Sequence, residues 1–179
     1  MMKNNPNTPE GWLYIGDENV RYALGEPGSY NLVMVGLNPS TATPDQPDPT
    51  ITRIRKIAAQ ENFDGWIAIN LYPMRDKDPD KLPDSLDRKI AEKNIEVIKW
   101  IDKNYTIGRL YAAWGTNIEK QAYLVNECRH IVDSIQSEQW FTRGVTKYGH
   151  PRHPLYVPYK QKMEWFPVQD YLGSFAFCR

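Results

Sequence analysis

Four segments of the chain have the length and apolar character of β-strands. They are Asn31 to Leu37, Gly65 to Leu71, Arg109 to Trp114 and, near the basic part of the chain, Gln139 to Thr142. The first is a continuous apolar run, a pattern typical of strands that are covered on both faces in a parallel sheet. We therefore predict a central sheet of four parallel strands.

Helical patterns separate these strands. Asp48-Pro49 resembles a cap followed by Pro at the first helical position, and isoleucines at helical spacing extend this helix to about Asn62. Asp84 or Ser85 is predicted to cap a second, long helix. The segment 116–119 (Thr-Asn-Ile-Glu) has the form of a capping box and predicts a third helix, ending near Cys128. Alternating strands and helices with short connections predict an α/β fold with helices on both faces of the sheet.

Two further segments complete the predicted fold. The runs Trp12 to Ile15 and Val20 to Leu24 flank a polar turn and predict an N-terminal β-hairpin added at the edge of the sheet. Asn38 to Thr50 contains four prolines and is predicted to be a rigid loop. We find no internal repeat or linker and interpret residues 1–179 as a single domain.

Composition and the lengths of the apolar runs argue against membrane-spanning, secreted and disulfide-rich proteins. The 22 Lys and Arg residues balance the 22 Asp and Glu residues, and no run has the length and apolarity of a membrane span or a secretory signal. We therefore expect a cytoplasmic protein without a membrane partner. Cys128 and Cys178 form neither a disulfide framework nor a zinc or iron–sulfur motif, and are predicted to be a buried residue and a tail residue. We expect no metal and no cofactor.

Charge is nevertheless unevenly distributed. The segment Trp140 to Met163 contains five cations and two histidines but no Asp or Glu. Such a block attracts anions even on a neutral protein.

Asparagines follow the first two predicted strands. In open α/β sheets, ligands bind beyond the carboxyl ends of the strands, where Asn38 and Asn70 are expected. Pro39 would hold the Asn38 side chain in one orientation, in which its amide could bind a water or a polar ligand. The alternative is that Asn-Pro simply begins a turn. The Asn70 carboxamide suits the edge of a nucleobase, and its alternative role is to satisfy local backbone. Tyr72 is the aromatic residue that we expect to contact a planar ligand.

The densest chemical segment is 149–155 (Gly-His-Pro-Arg-His-Pro-Leu). His150 and His153 could donate to an oxyanion or move protons. A metal site is disfavoured because no third ligand is evident, and a solvated loop without chemistry is the other alternative. Phosphate-loop, dinucleotide-binding and serine-hydrolase motifs are not found in the sequence.

Several of these segments together resemble a bacterial family known as domain of unknown function 1643, over about residues 21–158. They are 33–42 (VMVGLNPSTA), 48–50 (DPT), 69–71 (INL), 113–115 (AWG) and 146–156 (TKYGHPRHPLY). That resemblance implies no settled activity.

A more distant resemblance is to the uracil-DNA glycosylase superfamily. Its Gly-x-Asp/Asn-Pro motif, base-reading Asn, apolar-Trp-Gly strand end and His-Pro-x-Pro-Leu loop have counterparts here in the same order. The resemblance implies a three-layer α/β/α fold and a pocket for a base of DNA or of a nucleotide. The matching substrate-binding positions are Gly36, Pro39, Ser40, Asn70, Trp114 and Gly115, to which the residues themselves add Tyr72.

The resemblance also implies roles in cleavage of an N-glycosidic bond. Asn38 would position the water and His150 or His153 would stabilise the departing base, while Lys147 and Arg152 would meet phosphates. Two departures matter: position 38 is Asn rather than Asp, and the histidine loop has one extra residue, so either histidine can be the equivalent one. Two hypotheses follow, a glycosylase-like hydrolase and a binding module that does not hydrolyse. Oligomeric state and the identity of the base are not predicted.

Overall fold

The computed structural model describes residues 2–177 and has an α/β fold built on one sheet. Its seven strands are β1 (Leu13–Gly16), β2 (Arg21–Glu26), β3 (Asn31–Gly36), β4 (Gly65–Asn70), β5 (Ile107–Ala112), β6 (Trp140–Thr142) and β7 (Glu164–Trp165). Its four α-helices are α1 (Pro49–Gln60), α2 (Arg88–Asn104), α3 (Ala122–Ser134) and α4 (Val168–Gly173). Neighbouring strands follow the order β1-β2-β4-β3-β5-β6-β7 among the described residues.

The centre of the sheet is parallel and its edges are antiparallel. β3 pairs in parallel with β4 and β5, and β5 pairs in parallel with β6. β1 and β2 form the expected hairpin, which joins the sheet through β4. β7 pairs antiparallel with β6 at the opposite edge, and the sequence analysis did not predict it.

Helices cover both faces of the sheet because the side chains of each strand alternate between two apolar clusters. Val33 and Val35 of β3 pack in the cluster that includes residues of α2 and α3. Leu32 and Met34 pack in the other cluster, with the isoleucines of α1. Every residue of β3 and β4 is buried, as expected for strands inside a covered sheet.

The helix boundaries correct two predictions. α2 is capped by Asp87, whose side chain accepts hydrogen bonds from the N–H groups of Lys89 and Ile90, and not by Asp84 or Ser85. The segment Thr116–Glu119 is a short 3-10 helix without a side-chain cap, and α3 begins only at Ala122. The cap of α1 is Asp48, as predicted.

The residues after β6 are part of the folded body. Phe166, Val168 and Leu172 are buried in the cluster that contains α2 and α3. Cys128 is buried and unpaired, as predicted, whereas Cys178 lies outside the described residues. No described helix is both long and apolar enough to cross a membrane.

Candidate functional site

A cleft of about 760 Å³ lies where the central parallel strands end. Its floor includes Gly36 and Asn38 at the end of β3, Asn70 at the end of β4 and Trp114 just beyond β5. The proline-rich loop and the start of α1 form one wall, and the loop between β6 and β7 forms another. The polar and charged residues that line it are Arg21, Asn38, Ser40, Asp48, Thr50, Asn70, Asp76, Lys77, Thr116, Asn117, Thr146, Lys147, Arg152, His153 and Tyr156.

Asn38 is held in one orientation by backbone carbonyls. Its Nδ2 donates to the carbonyl of Asp76 at 2.9 Å and, at 3.4 Å, to those of Met74 and Pro39. The Oδ1 atom accepts no hydrogen bond from the described residues, so the half-buried amide can accept one from a water or a ligand in the cleft.

Asn70 is almost completely buried, with 2% of its surface exposed, yet its Nδ2 has no hydrogen-bond partner among the described residues. Leaving a buried donor unpaired costs about 1–3 kcal/mol. Gly36 makes room for this amide, because a Cβ at position 36 would lie 2.8 Å from Asn70 Oδ1. An amide at the floor of a cleft with an unused donor is suited to a ligand oxygen.

His153 is the histidine that lines the cleft. Its Nδ1 accepts a hydrogen bond from the Leu155 N–H at 3.4 Å, which leaves the proton of the neutral ring on Nε2. Burial lowers the pKa of His153, and attraction to Asp48 opposes this shift only in part. Neutral imidazole, whose Nε2–H has no partner among residues 2–177, is therefore the form present at neutral pH.

His150 lies outside the cleft, and this removes it from the expected site. It is 2% exposed, with Nδ1 3.0 Å from the Tyr171 hydroxyl and Nε2 3.3 Å from a carboxylate oxygen of Glu119. The same hydroxyl accepts from the indole N–H of Trp114. Both ring nitrogens have protein partners, so His150 joins the C-terminal segment to the body instead of facing a ligand.

Tyr72 also lies away from the cleft, contrary to expectation. It is fully buried, its ring is 5.3 Å from that of Tyr123, and its hydroxyl accepts from the Asp87 N–H. The backbone N–H groups of Leu71 and Tyr72 continue the pairing with the carbonyls of Gly36 and Leu37, which directs Tyr72 into the core beside α2. Pro39 is buried and does not line the cleft.

The other expected positions reach the cleft in different ways. Ser40 lines it from the proline-rich loop. Trp114 is 2% exposed and packs edge to face with Trp140 and Phe166, so it contributes mainly a rigid wall. Gly115 has a φ of 73°, a left-handed conformation that favours glycine, and a Cβ added at this position would lie 3.8 Å from the His153 Cβ.

Besides Arg21, three cations and the exposed Tyr156 line the cleft, and the exposed Tyr148 lies beside one of these cations. Lys77, Lys147 and Arg152 line it, and the Lys147 ammonium lies 4.7 Å from the centre of the Tyr148 ring. Tyr148 and Tyr156 are 71% and 76% exposed. This combination of positive charge and exposed rings is typical of surfaces that bind nucleic acids.

Four charged residues of the cleft were not expected there: Arg21, Asp48, Asp76 and Lys77. Arg21 lies on the hairpin and is 3% exposed, and it donates from Nη1 to the Ala42 carbonyl at 3.1 Å. Asp48 was predicted only as a helix cap. The sequence does not identify Arg21 or Asp48 as a site residue. Arg21 reaches the cleft because β2 pairs with β4, and Asp48 reaches it because of the path of the proline-rich loop.

Nothing in residues 2–177 supports a metal site. No three or more His, Cys, Asp or Glu side chains of these residues are grouped so that they could hold a metal ion. The cleft can offer amides, one neutral imidazole, hydroxyls and two carboxylates, which are groups that bind a polar planar molecule and move protons.

Comparison with known proteins and protein families gives one family match. No curated protein and no solved structure matches this chain. The family described as "Protein of unknown function (DUF1643)" matches residues 21–155, and these include β2 to β6 and every cleft residue except Tyr156. This match covers most of the chain, and the protein therefore belongs to the DUF1643 family.

Proposed function

We propose that the cleft binds a nucleobase of DNA or of a nucleotide and that the protein hydrolyses the N-glycosidic bond of that base. One observation carries the proposal: Asn38, Asn70 and His153, which lie far apart in the sequence, line one cleft at the carboxyl ends of adjacent strands. Ligands bind at this edge in open α/β sheets.

The fold supports the same proposal by resemblance. Four parallel strands with helices on both faces and an added hairpin resemble the three-layer arrangement of the uracil-DNA glycosylase superfamily. The order of the strand-end motifs resembles that superfamily as well.

The side chains of the cleft have complementary roles in this reaction. Cleavage of an N-glycosidic bond leaves a cationic sugar and an anionic base, so a donor to a base oxygen stabilises the transition state. His153 supplies that donor through Nε2–H, and Asn70 reads the edge of the base through its unpaired amide. Asn38 orients the water through Oδ1. His153 rather than His150 has this role because only His153 lines the cleft.

The cations of the cleft favour a ligand that carries phosphate. Lys147 and Arg152 would contact phosphates on either side of the bound base, while the exposed rings of Tyr148 and Tyr156 would stack on neighbouring bases.

Base release tests the hydrolysis directly. The protein is incubated with oligonucleotides that contain uracil, hypoxanthine or xanthine, and the free base is measured by chromatography. We expect release from one of these substrates and a loss of release in the Asn38→Ala, His153→Ala double variant. Release no faster than that of the double variant with all three substrates would exclude hydrolysis of these bases.

A second candidate function is binding without turnover. It is favoured by Asn38, because an uncharged amide can neither accept a proton from water readily nor balance the charge of a sugar cation. A nucleobase or nucleotide at 100 times its dissociation constant should then stabilise the fold by about 2.7 kcal/mol without being cleaved. A panel of nucleobases and nucleotides that leaves the melting temperature unchanged would exclude both functions.

A further inference from the structure

Asp48 presents a carboxylate to the same cleft. It ends the proline-rich loop and lines the cleft together with the first residues of α1. One oxygen, Oδ1, accepts from the Ile51 N–H at 2.8 Å and caps the helix. The other oxygen accepts no hydrogen bond from the described residues, so half of the carboxylate is available to a ligand or a water.

Two cationic or protonatable side chains of the cleft interact with this carboxylate. Burial lowers the pKa of Arg21 to about 10, and attraction to Asp48 opposes that shift. Asp48 acts in the same direction on His153. Arg21 forms no ion pair with any described residue and its Nε has no partner, so Asp48 is the negative charge that compensates this buried cation.

Asp76 is the other carboxylate that lines the cleft, and one of its oxygens is likewise engaged by a backbone N–H. Its Oδ1 accepts from the Asp78 N–H at 2.8 Å, and its backbone carbonyl anchors Asn38. It does not contribute to the pKa shift of His153, whereas Asp48 does. Arg53 of α1 also donates a hydrogen bond to the carbonyl of Val157, shortly after His153. Asp48 at the start of α1 is therefore the carboxylate on the histidine side of the cleft.

We infer that Asp48 is the general base of the proposed hydrolysis, in place of the carboxylate that position 38 lacks. The inference rests on the proposed function. The water oxygen bonds to the sugar carbon as the bond from that carbon to the base nitrogen breaks, and the electron pair of this bond leaves with the base. The carboxylate of Asp48 accepts the proton that the water loses, and His153 Nε2–H donates a hydrogen bond to the base oxygen.

A substitution that keeps the cap but removes the charge tests this role. Asparagine caps helices about as well as aspartate, so Asp48→Asn should keep α1. Its melting temperature should fall, because the buried Arg21 cation loses the charge that attracts it, and release is therefore compared at a temperature at which both proteins are folded. We expect base release from the uracil, hypoxanthine or xanthine oligonucleotide under single-turnover conditions to slow about 10²- to 10⁴-fold. The dissociation constant for the same oligonucleotide, measured by fluorescence anisotropy, should change less than threefold.

The matched control is Asp87→Asn, which makes the same change at the exposed cap of α2. It should leave both release and binding unchanged. Release by Asp48→Asn that is as fast as release by the wild type would overturn the role of Asp48. Absence of release by the wild type, with or without binding of the oligonucleotides, would instead refute the proposed hydrolysis, on which this role depends.

Discussion

Two buried asparagines side by side differ in how their NH₂ groups are used. Asn94 donates from Nδ2 to the carbonyls of Asn70 and Leu71, at 2.9 and 3.3 Å, whereas the Nδ2 of Asn70 has no described partner. A buried group without a partner contributes little to stability and remains available to a ligand. The pair therefore separates a structural amide from the amide that we propose binds the ligand.

We predict that Asn70→Ala weakens binding of the nucleobase ligand at least about tenfold, since one hydrogen bond is worth about 0.5–1.5 kcal/mol and an unpaired ligand group costs more. Its free energy of unfolding should change by less than that of Asn94→Ala, which leaves two buried carbonyls unpaired and should lose about 1–3 kcal/mol. Urea unfolding and calorimetric titration measure the two quantities. Equal destabilisation by the two variants, with equal affinity, would show that Asn70 has no binding role.

His153 gives a pH-dependent prediction. Its pKa in the folded protein lies below the unfolded value of about 6.5. As the pH falls, the unfolded chain therefore binds the proton first, and the stability contributed by the neutral ring is lost below about pH 6.5. The free energy of unfolding of the wild type, minus that of His153→Gln, should decrease between pH 7.5 and pH 5. Urea titrations at both values check this, and a difference that stays constant or increases would contradict the burial of a neutral ring.

At the level of elements, the cap of α2 provides a test of the boundary. Asp87→Ala should cost about 1 kcal/mol, because two N–H groups in the first turn lose their acceptor. Ser85→Ala, at one of the two positions that the sequence favoured, should change stability by less than about 0.5 kcal/mol. Thermal unfolding of the two variants compares them. A larger loss for Ser85→Ala would place the cap where the sequence analysis expected it.

Local sequence patterns predicted the elements that depend on local interactions. The apolar run at β3, the Asp48-Pro49 start of α1 and the hairpin were all found close to their predicted positions. The 116–119 segment was not, because Glu119 lies beside His150 instead of capping a helix. Such a tertiary contact leaves no periodic signal in the sequence.

The difference between local patterns and tertiary contacts also decides which cleft residues could be predicted. Asn38, Asn70 and His153 could be predicted because each follows a strand or lies in a proline-stiffened loop. His150 and His153 could not be told apart, since the choice depends on Tyr171, which comes from a helix that the sequence analysis did not predict. Asp48 looked like an ordinary cap because its second role depends on the path of the loop.

At the scale of the whole molecule, the segment that matches the family is smaller than the unit that folds. Residues 21–155 lack β1, which pairs with β2, and lack the buried side chains of Phe166, Val168 and Leu172. Each of these three side chains is worth about 1.5–3 kcal/mol when buried. We predict that the fragment 21–155 shows no cooperative thermal transition by circular dichroism, whereas the full chain does. A fragment that melts at the temperature of the full chain would contradict this.

The meeting of Asn38, Asn70 and His153 around one planar ligand is the central claim, and NMR of the side-chain amides tests it most directly. A ¹⁵N-labelled sample is titrated with nucleobases, nucleoside monophosphates and short oligonucleotides, and Asn38→Ala and Asn70→Ala assign the two amide pairs. We predict that at least one of these ligands shifts the Asn70 NH₂ resonances together with the backbone signals around His153. Shifts confined to other parts of the protein, or none with any of these ligands, would contradict the account.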